Sequence, residues 1–132
     1  MVNKEAIVRD LFGMWGDGIE SCKQSWIKYA DENIVWWNSG RGSVEGMAAN
    51  LSAMDQMGSA LGISRLEVTI KNILAGDEIV FVERLEDYYR ADGTHIKQVP
   101  VAGVFTFRDG KLVELRDYCV DWLTDYVAEL QK

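Results

Sequence analysis

The chain has 132 residues, 48% of them hydrophobic and 27% charged, with a formal net charge of −7. That length and balance predict one folded domain over 1–132, and the negative charge argues against nucleic acid and anionic membranes, which select for basic patches. Cys22 and Cys119 are too few for a disulfide framework, and no CxxC or His-rich spacing suggests a metal or cofactor. No stretch nears the ~18 apolar residues of a membrane span and no signal peptide is evident, so a cytoplasmic location is expected.

Asn3 is a candidate cap for a first helix, in which Ile7, Val8, Leu11, Phe12 and Trp15 recur at the spacing of one buried face. Gly16-Asp17-Gly18 breaks it. A second helix carries Cys22, Trp26, Ile27 and Tyr29 and is expected to end near Asp31-Glu32-Asn33. Ile34 to Asn38, β-branched and aromatic, reads as a strand. Ser39 to Gly42 reads as a loop, with Ser43 capping a third helix whose apolar stripe is Val44, Met47, Ala48, Leu51, Met54 and Met57.

From about Leu66 the hydrophobic period changes from 3.6 to 2. Leu66, Val68 and Ile70 alternate with Glu67, Thr69 and Lys71, and long strands follow over Glu78 to Arg90 and His95 to Arg108. Ala91-Asp92-Gly93 and Asp109-Gly110 are hairpin signals between them, and Trp122 to Leu130 reads as a terminal helix. Helices first and antiparallel strands after predict an α+β fold. Strands this long in a short chain curl, so the expected shape is a cone-shaped curved antiparallel sheet packed against N-terminal helices and enclosing a pocket.

Three polar features stand on apolar faces. In the last strand Asp117 shares a side with Val113, Leu115 and Cys119, and a buried carboxylate costs several kcal/mol unless it is paired or hydrogen-bonded. In Val80, Val82, Arg84, Glu86, Tyr88 an arginine and a glutamate follow two valines on one face. That pattern fits a pocket ion pair or, equally, an exposed pair of little energetic value. Asn38 closes the aromatic strand on the side of Trp36 and Ile34, where a carboxamide can hold a water or serve as a strand-ending turn residue.

Other signals are weaker. Gly40-Arg41-Gly42 lacks the third glycine at the spacing of a phosphate-binding loop, His95 has no evident partner, and no Ser or Cys sits in a nucleophile elbow.

The segment Val99-Pro100-Val101-Ala102-Gly103-Val104-Phe105, the turn Asp109-Gly110-Lys111 and the run Arg116-Asp117-Tyr118 resemble the C-terminal half of limonene-1,2-epoxide hydrolases. Glu83-Arg84-Leu85-Glu86 falls where that family has E-R-x-D, and the N-terminal half is similar to the wider nuclear transport factor 2-like, ketosteroid isomerase-like and SnoaL-like superfamily.

The resemblance implies a one-step, cofactor-free opening of an epoxide. Asp117 would take a proton from water that Asn38 helps hold, Arg84 would bridge the two carboxylates, and Glu86 would donate to the epoxide oxygen. It also implies a homodimer and a small apolar substrate, with Trp36, Tyr88, Phe105, Met47 and Leu51 expected in the pocket wall. The chain departs from the family pattern at Glu86, where the motif has Asp, and at Trp36, which replaces a water-holding Tyr. Two alternatives stay open: a cofactor-free isomerase, cyclase or dehydratase, and a non-catalytic small-ligand-binding dimer module.

Overall fold

Asn3 caps α1 (Lys4–Trp15): its Oδ1 accepts from the Ala6 N–H at 3.0 Å, satisfying one of the donors a helix start leaves free. The computed structural model describes residues 3–132. Gly18, at φ 120°, turns the chain into α2 (Ile19–Tyr29), after which the backbone extends at once into β1 (Ala30–Asn38). The helix expected to reach Asp31–Asn33 therefore stops earlier, and Ala30 already pairs with Leu112 in the sheet.

The next expectation fails more clearly. Ser43 caps no helix, and Val44 belongs to no helical stripe. Gly42–Glu45 is a short strand, β2, hairpinned back on β1 with Trp36 opposite Val44 and Trp37 opposite Ser43. Positive φ at Gly42 (88°) and Gly46 (93°) brackets it, and α3 (Met47–Ser59) starts only after the second glycine. A buried side chain fixes the junction: the fully buried Asn50 donates from Nδ2 to the carbonyls of Gly46 (2.8 Å), Val44 (3.1 Å) and Ile34 (3.4 Å).

The remaining elements are β3 (Arg65–Ala75), β4 (Ile79–Tyr89), β5 (His95–Arg108), β6 (Lys111–Tyr118) and α4 (Leu123–Leu130). Among the described residues the strands form one curved, unclosed sheet in the order β2-β1-β6-β5-β4-β3, the expected α+β cone. One pairing is not antiparallel: β1 runs parallel to β6, because the helical N-terminal half delivers β1 to the sheet edge from outside the meander. The Asp109-Gly110 turn has φ of 51° and 79°, the twist that joins two strands tightly.

β4 alternates as its sequence predicts, with Val80, Val82, Arg84, Glu86 and Tyr88 buried on the concave side. In β6 the phase changes at a bulge opposite Thr106 and Phe107, so Leu112, and not Val113, joins Leu115 and Asp117 inside. Onto this side α1 and α2 set Val8, Leu11, Phe12, Trp15 and Trp26. Each such side chain stabilises the fold by about 1.5–3 kcal/mol relative to exposure. Phe12 meets Phe105 edge-on at 5.5 Å, and Trp26 meets Trp36 at 5.2 Å. No helix among the described residues is long and apolar enough to cross a membrane.

Candidate active site

Register places four residues in one row across the concave face: Val82 on β4, Gly103 on β5, Asp117 on β6 and Asn38 on β1. Arg84 lies one step further along β4. Its guanidinium must cross β5 to meet Asp117, and Gly103 is what lets it cross. A Cβ at Gly103 would stand 2.6 Å from both Arg84 Nη1 and Asp117 Oδ1, closer than atoms pack.

Arg84 is fully buried and sits between two carboxylates. Its Nε donates to Glu86 Oε2 at 2.9 Å, while Nη2 lies 2.8 Å from Glu86 Oε2 and 2.9 Å from Asp117 Oδ1. The two Nη2 contacts are ion contacts off hydrogen-bond alignment, so Asp117 Oδ1 is touched by charge without receiving an aligned N–H. Burial opposes the guanidinium's charge, but Asp117 and Glu86 outweigh it and hold Arg84 protonated. Its Cζ also rests 4.9 Å from the Phe12 ring centroid. This is the pocket ion pair, and the exposed alternative is ruled out.

The carboxylates differ in their remaining partners. Asp117 Oδ2 accepts from Trp36 Nε1 at 2.9 Å. Burial pushes the Asp117 carboxyl above its ordinary value of 3.8, with Arg84 pulling the other way and Glu86 adding to the rise. Glu86 Oε1 accepts from the Tyr88 hydroxyl at 2.6 Å, the short separation of a charge-assisted bond. Burial, then the Glu86 charge, holds the Tyr88 phenol well above the usual tyrosine range.

Asn38 stands beside Asp117 in the register, and its Oδ1 accepts from Cys119 Sγ at 3.2 Å. Burial, helped by Asp117, pushes the Cys119 thiol up to about 11, so it is a neutral donor and a poor nucleophile.

These groups open onto a cavity of about 430 Å³, large enough for a small organic molecule. Trp36, Asn38, Glu86, Tyr88 and Asp117 line it, and Arg84 lies beneath them. Three residues expected in its wall do not line it. Phe105 is fully buried against Phe12, and Met47 and Leu51, on the flank of α3, pack against the core; Ala53, Gln56, Met57 and Ala60 face the cavity instead. The helix was expected to begin at Ser43, and its true start at Met47 goes with a different facing residue set.

Sequence reasoning missed three contributors. Gly103 stands in the run Val99 to Phe105 that carries the family resemblance, but a glycine leaves an apolar alternation unbroken and its role as a crossing point is not legible there. Cys119 was placed on the Asp117 face but not against Asn38. The segment Val120 to Leu123, with Val127 of α4, forms one wall, and there the Trp122 ring lies 4.7 Å from that of Tyr88. Its apolar spacing was legible, but not the cavity it covers. Among the described residues no group of three or more His, Cys, Asp and Glu is arranged to hold a metal ion.

A family model for the SnoaL-like domain matches residues 8–115. Solved structures share the fold at low identity. A protein named as a SnoaL-like polyketide cyclase from Jannaschia sp. CCS1 is 21% identical over 94% of this chain and 88% of its own, with a TM-score of 0.71. An LEH-like epoxide hydrolase of M. tuberculosis is 20% identical over 94% and 88%, with a TM-score of 0.72. AclR, named as a hydroxylase, from Streptomyces galilaeus is 18% identical over 95% of both chains, with a TM-score of 0.70. No functionally curated protein matches the sequence.

Proposed function

This chain belongs to the SnoaL-like domain family, and we propose that within it the protein is a cofactor-free epoxide hydrolase of the limonene-1,2-epoxide hydrolase type, acting on a small, largely apolar epoxide. The observation that carries this reading is the Asp117–Arg84–Glu86 bridge at the floor of a mainly apolar cavity. Opening a strained ether in one step needs a base for the attacking water and an acid for the leaving oxygen at the same moment. Two buried carboxyls sharing one arginine favour holding a single proton between them, because two free negative charges there would face only one positive charge.

In this reading Asp117 takes a proton from water held at Asn38 while the water oxygen attacks one epoxide carbon. The C–O bond at that carbon breaks, and the Glu86 side of the bridge supplies the proton to the departing oxygen. The product is a diol, and solvent returns the proton from Asp117 to the Glu86 side. In this reading the bridge lets the two carboxyls share one proton, and the apolar walls strengthen each charge interaction.

The test is incubation with a panel of terpene and cycloalkene oxides in ¹⁸O-labelled water. We expect a singly labelled diol from the wild type and its loss, about 10³-fold, in Asp117→Asn and Glu86→Gln. Diol formation that survives both substitutions, or a wild type that opens none of the panel, removes the assignment.

One observation favours a second reading. Trp36 Nε1 occupies Asp117 Oδ2 as a donor, and an indole offers a water no acceptor. With water less well held, Asp117 is suited to moving a proton to and from carbon next to a carbonyl, as an isomerase or cyclase does. Deuterium from solvent in a recovered carbonyl substrate, with no diol from any epoxide, is the result that selects it.

A further inference from the structure

We infer that Tyr88 is the residue that hands the acid proton to the oxygen of the bound ligand, with Glu86 as the reservoir behind it; the epoxide half of this inference rests on the function proposed above.

The argument starts from the two oxygens of Glu86. Oε2 faces Arg84, taking the Nε donor at 2.9 Å and the Nη2 contact at 2.8 Å. A proton on Oε2 would point at cationic N–H groups, so Oε1 is the oxygen on which Glu86 can carry one. Oε1 lies 2.6 Å from Tyr88 Oη. A proton held there meets the phenol oxygen, whose own hydrogen is then released from Glu86 and free to turn to a ligand. Both residues line the cavity.

The phenol is also well placed to serve. It stands at the end of β4 nearest the C-terminal wall, and its ring is packed 4.7 Å from Trp122, which fixes its orientation. The charged groups that act on it are Glu86 and, beyond that, Arg84 and Asp117. Burial first, then Glu86 and Asp117, keep the hydroxyl protonated against the opposing pull of Arg84, so it is a donor at neutral pH.

The step balances without an added reagent. As water attacks carbon and loses a proton to Asp117, the epoxide C–O bond breaks with its electron pair going to oxygen. That oxygen takes the Tyr88 hydrogen, Tyr88 Oη takes the hydrogen of Glu86 Oε1, and Glu86 is left as a carboxylate that accepts from the Tyr88 hydroxyl. The ligand class is an apolar molecule presenting one oxygen acceptor to this end of the cavity.

Two measurements test the assignment. In steady-state epoxide turnover, Tyr88→Phe should lower kcat about 100-fold or more while KM moves less than about threefold. Unchanged kcat, or a loss confined to KM, overturns the proton transfer. Independently of turnover, the infrared band of a bound ¹³C-carbonyl-labelled cyclic ketone should lie at lower frequency in wild type than in Tyr88→Phe. Identical bands overturn the donor.

Glu86→Gln separates reservoir from donor: it should lose turnover yet keep the ketone shift, and a lost shift would make Glu86 the donor. If Tyr88→Phe does not fold, 3-fluorotyrosine at position 88, a stronger donor, should lower the band further; no change counts against the inference. A wild type with a shifted ketone band but no diol removes the hydrolase reading and leaves Tyr88 as donor. Diol formation indifferent to Tyr88→Phe does the reverse.

Discussion

Trp36 shows how much one donor can decide. Its N–H supplies the one aligned hydrogen bond to the Asp117 carboxyl among the described residues, and it opposes the upward pull of burial. Trp36→Phe deletes that bond and keeps the packing against Trp15 and Trp26. Without the donor the ionised form loses support, so the Asp117 pKa must rise further. Because the proposed base works ionised, kcat/KM should climb with pH through an inflection above the ordinary aspartate range. In Trp36→Phe that inflection should move to higher pH, and a pH–rate profile that stays put would count against Asp117 as base. At this scale the sequence was informative where charge broke an apolar alternation, as at Asp117, Arg84 and Glu86. It was silent at Gly103, whose role is to be empty.

Elements matter here through what they allow to cross or dock. β5 separates Arg84 from Asp117, and the bridge exists because β5 places a glycine between them. Gly103→Ala forces a Cβ to within 2.6 Å of two buried charged atoms, so one side chain must leave its place. We expect a loss of about 1–3 kcal/mol in urea unfolding, the range for overpacking, with activity falling further than stability because the bridge opens.

Asn50 is the corresponding device at the β1–β2–α3 junction. Asn50→Ala removes side-chain donors from the carbonyls of Ile34, Val44 and Gly46, of which Ile34 and Gly46 keep the backbone N–H donors of Gly46 and residue 50, so it should cost about 1 kcal/mol, read as a lower Tm, and loosen the β1 end that carries Trp36 and Asn38. The strands from β3 onward were legible because each contrasts an apolar with a polar face. β2 was not, because a four-residue strand has too little alternation, and Ser43 carries the same local signal as a helix cap.

For the whole molecule, the buried bridge links stability to pH. The folded pKa of Asp117 lies above its unfolded value, so the neutral form is the one that favours folding. Its stabilising contribution is present below the unfolded pKa, near 4, and is lost as pH rises through the folded pKa. Asp117→Asn lacks that titration. Urea midpoints should therefore fall with rising pH in the wild type relative to Asp117→Asn, and a constant difference would contradict a raised pKa.

The convex face makes a separate prediction. Phe81 and Tyr118 are each 48% exposed there, with Trp37 packed on Tyr118, and Glu114 paired with Arg116 beside them. We propose that two copies pair through this face. Sedimentation should give twice the 14.9 kDa of one chain, and Phe81→Glu should return it to the single-chain mass.

By itself the sequence determined which strands alternate, which residues of β4 share a face, and that Asp117, Arg84 and Glu86 each stand on an otherwise apolar one. Those properties are local, since side-chain direction follows the period of the element that carries it. Only the tertiary structure decided that Arg84 reaches Asp117 across a glycine, that Trp36 donates to Asp117, that Tyr88 meets Glu86, and that Phe105, Met47 and Leu51 leave the cavity to others. These depend on register, on one bulge and on where α3 and α4 dock, each fixed by contacts between residues far apart in the chain. The lone carboxylate on an apolar face pointed to a site, and the register built it.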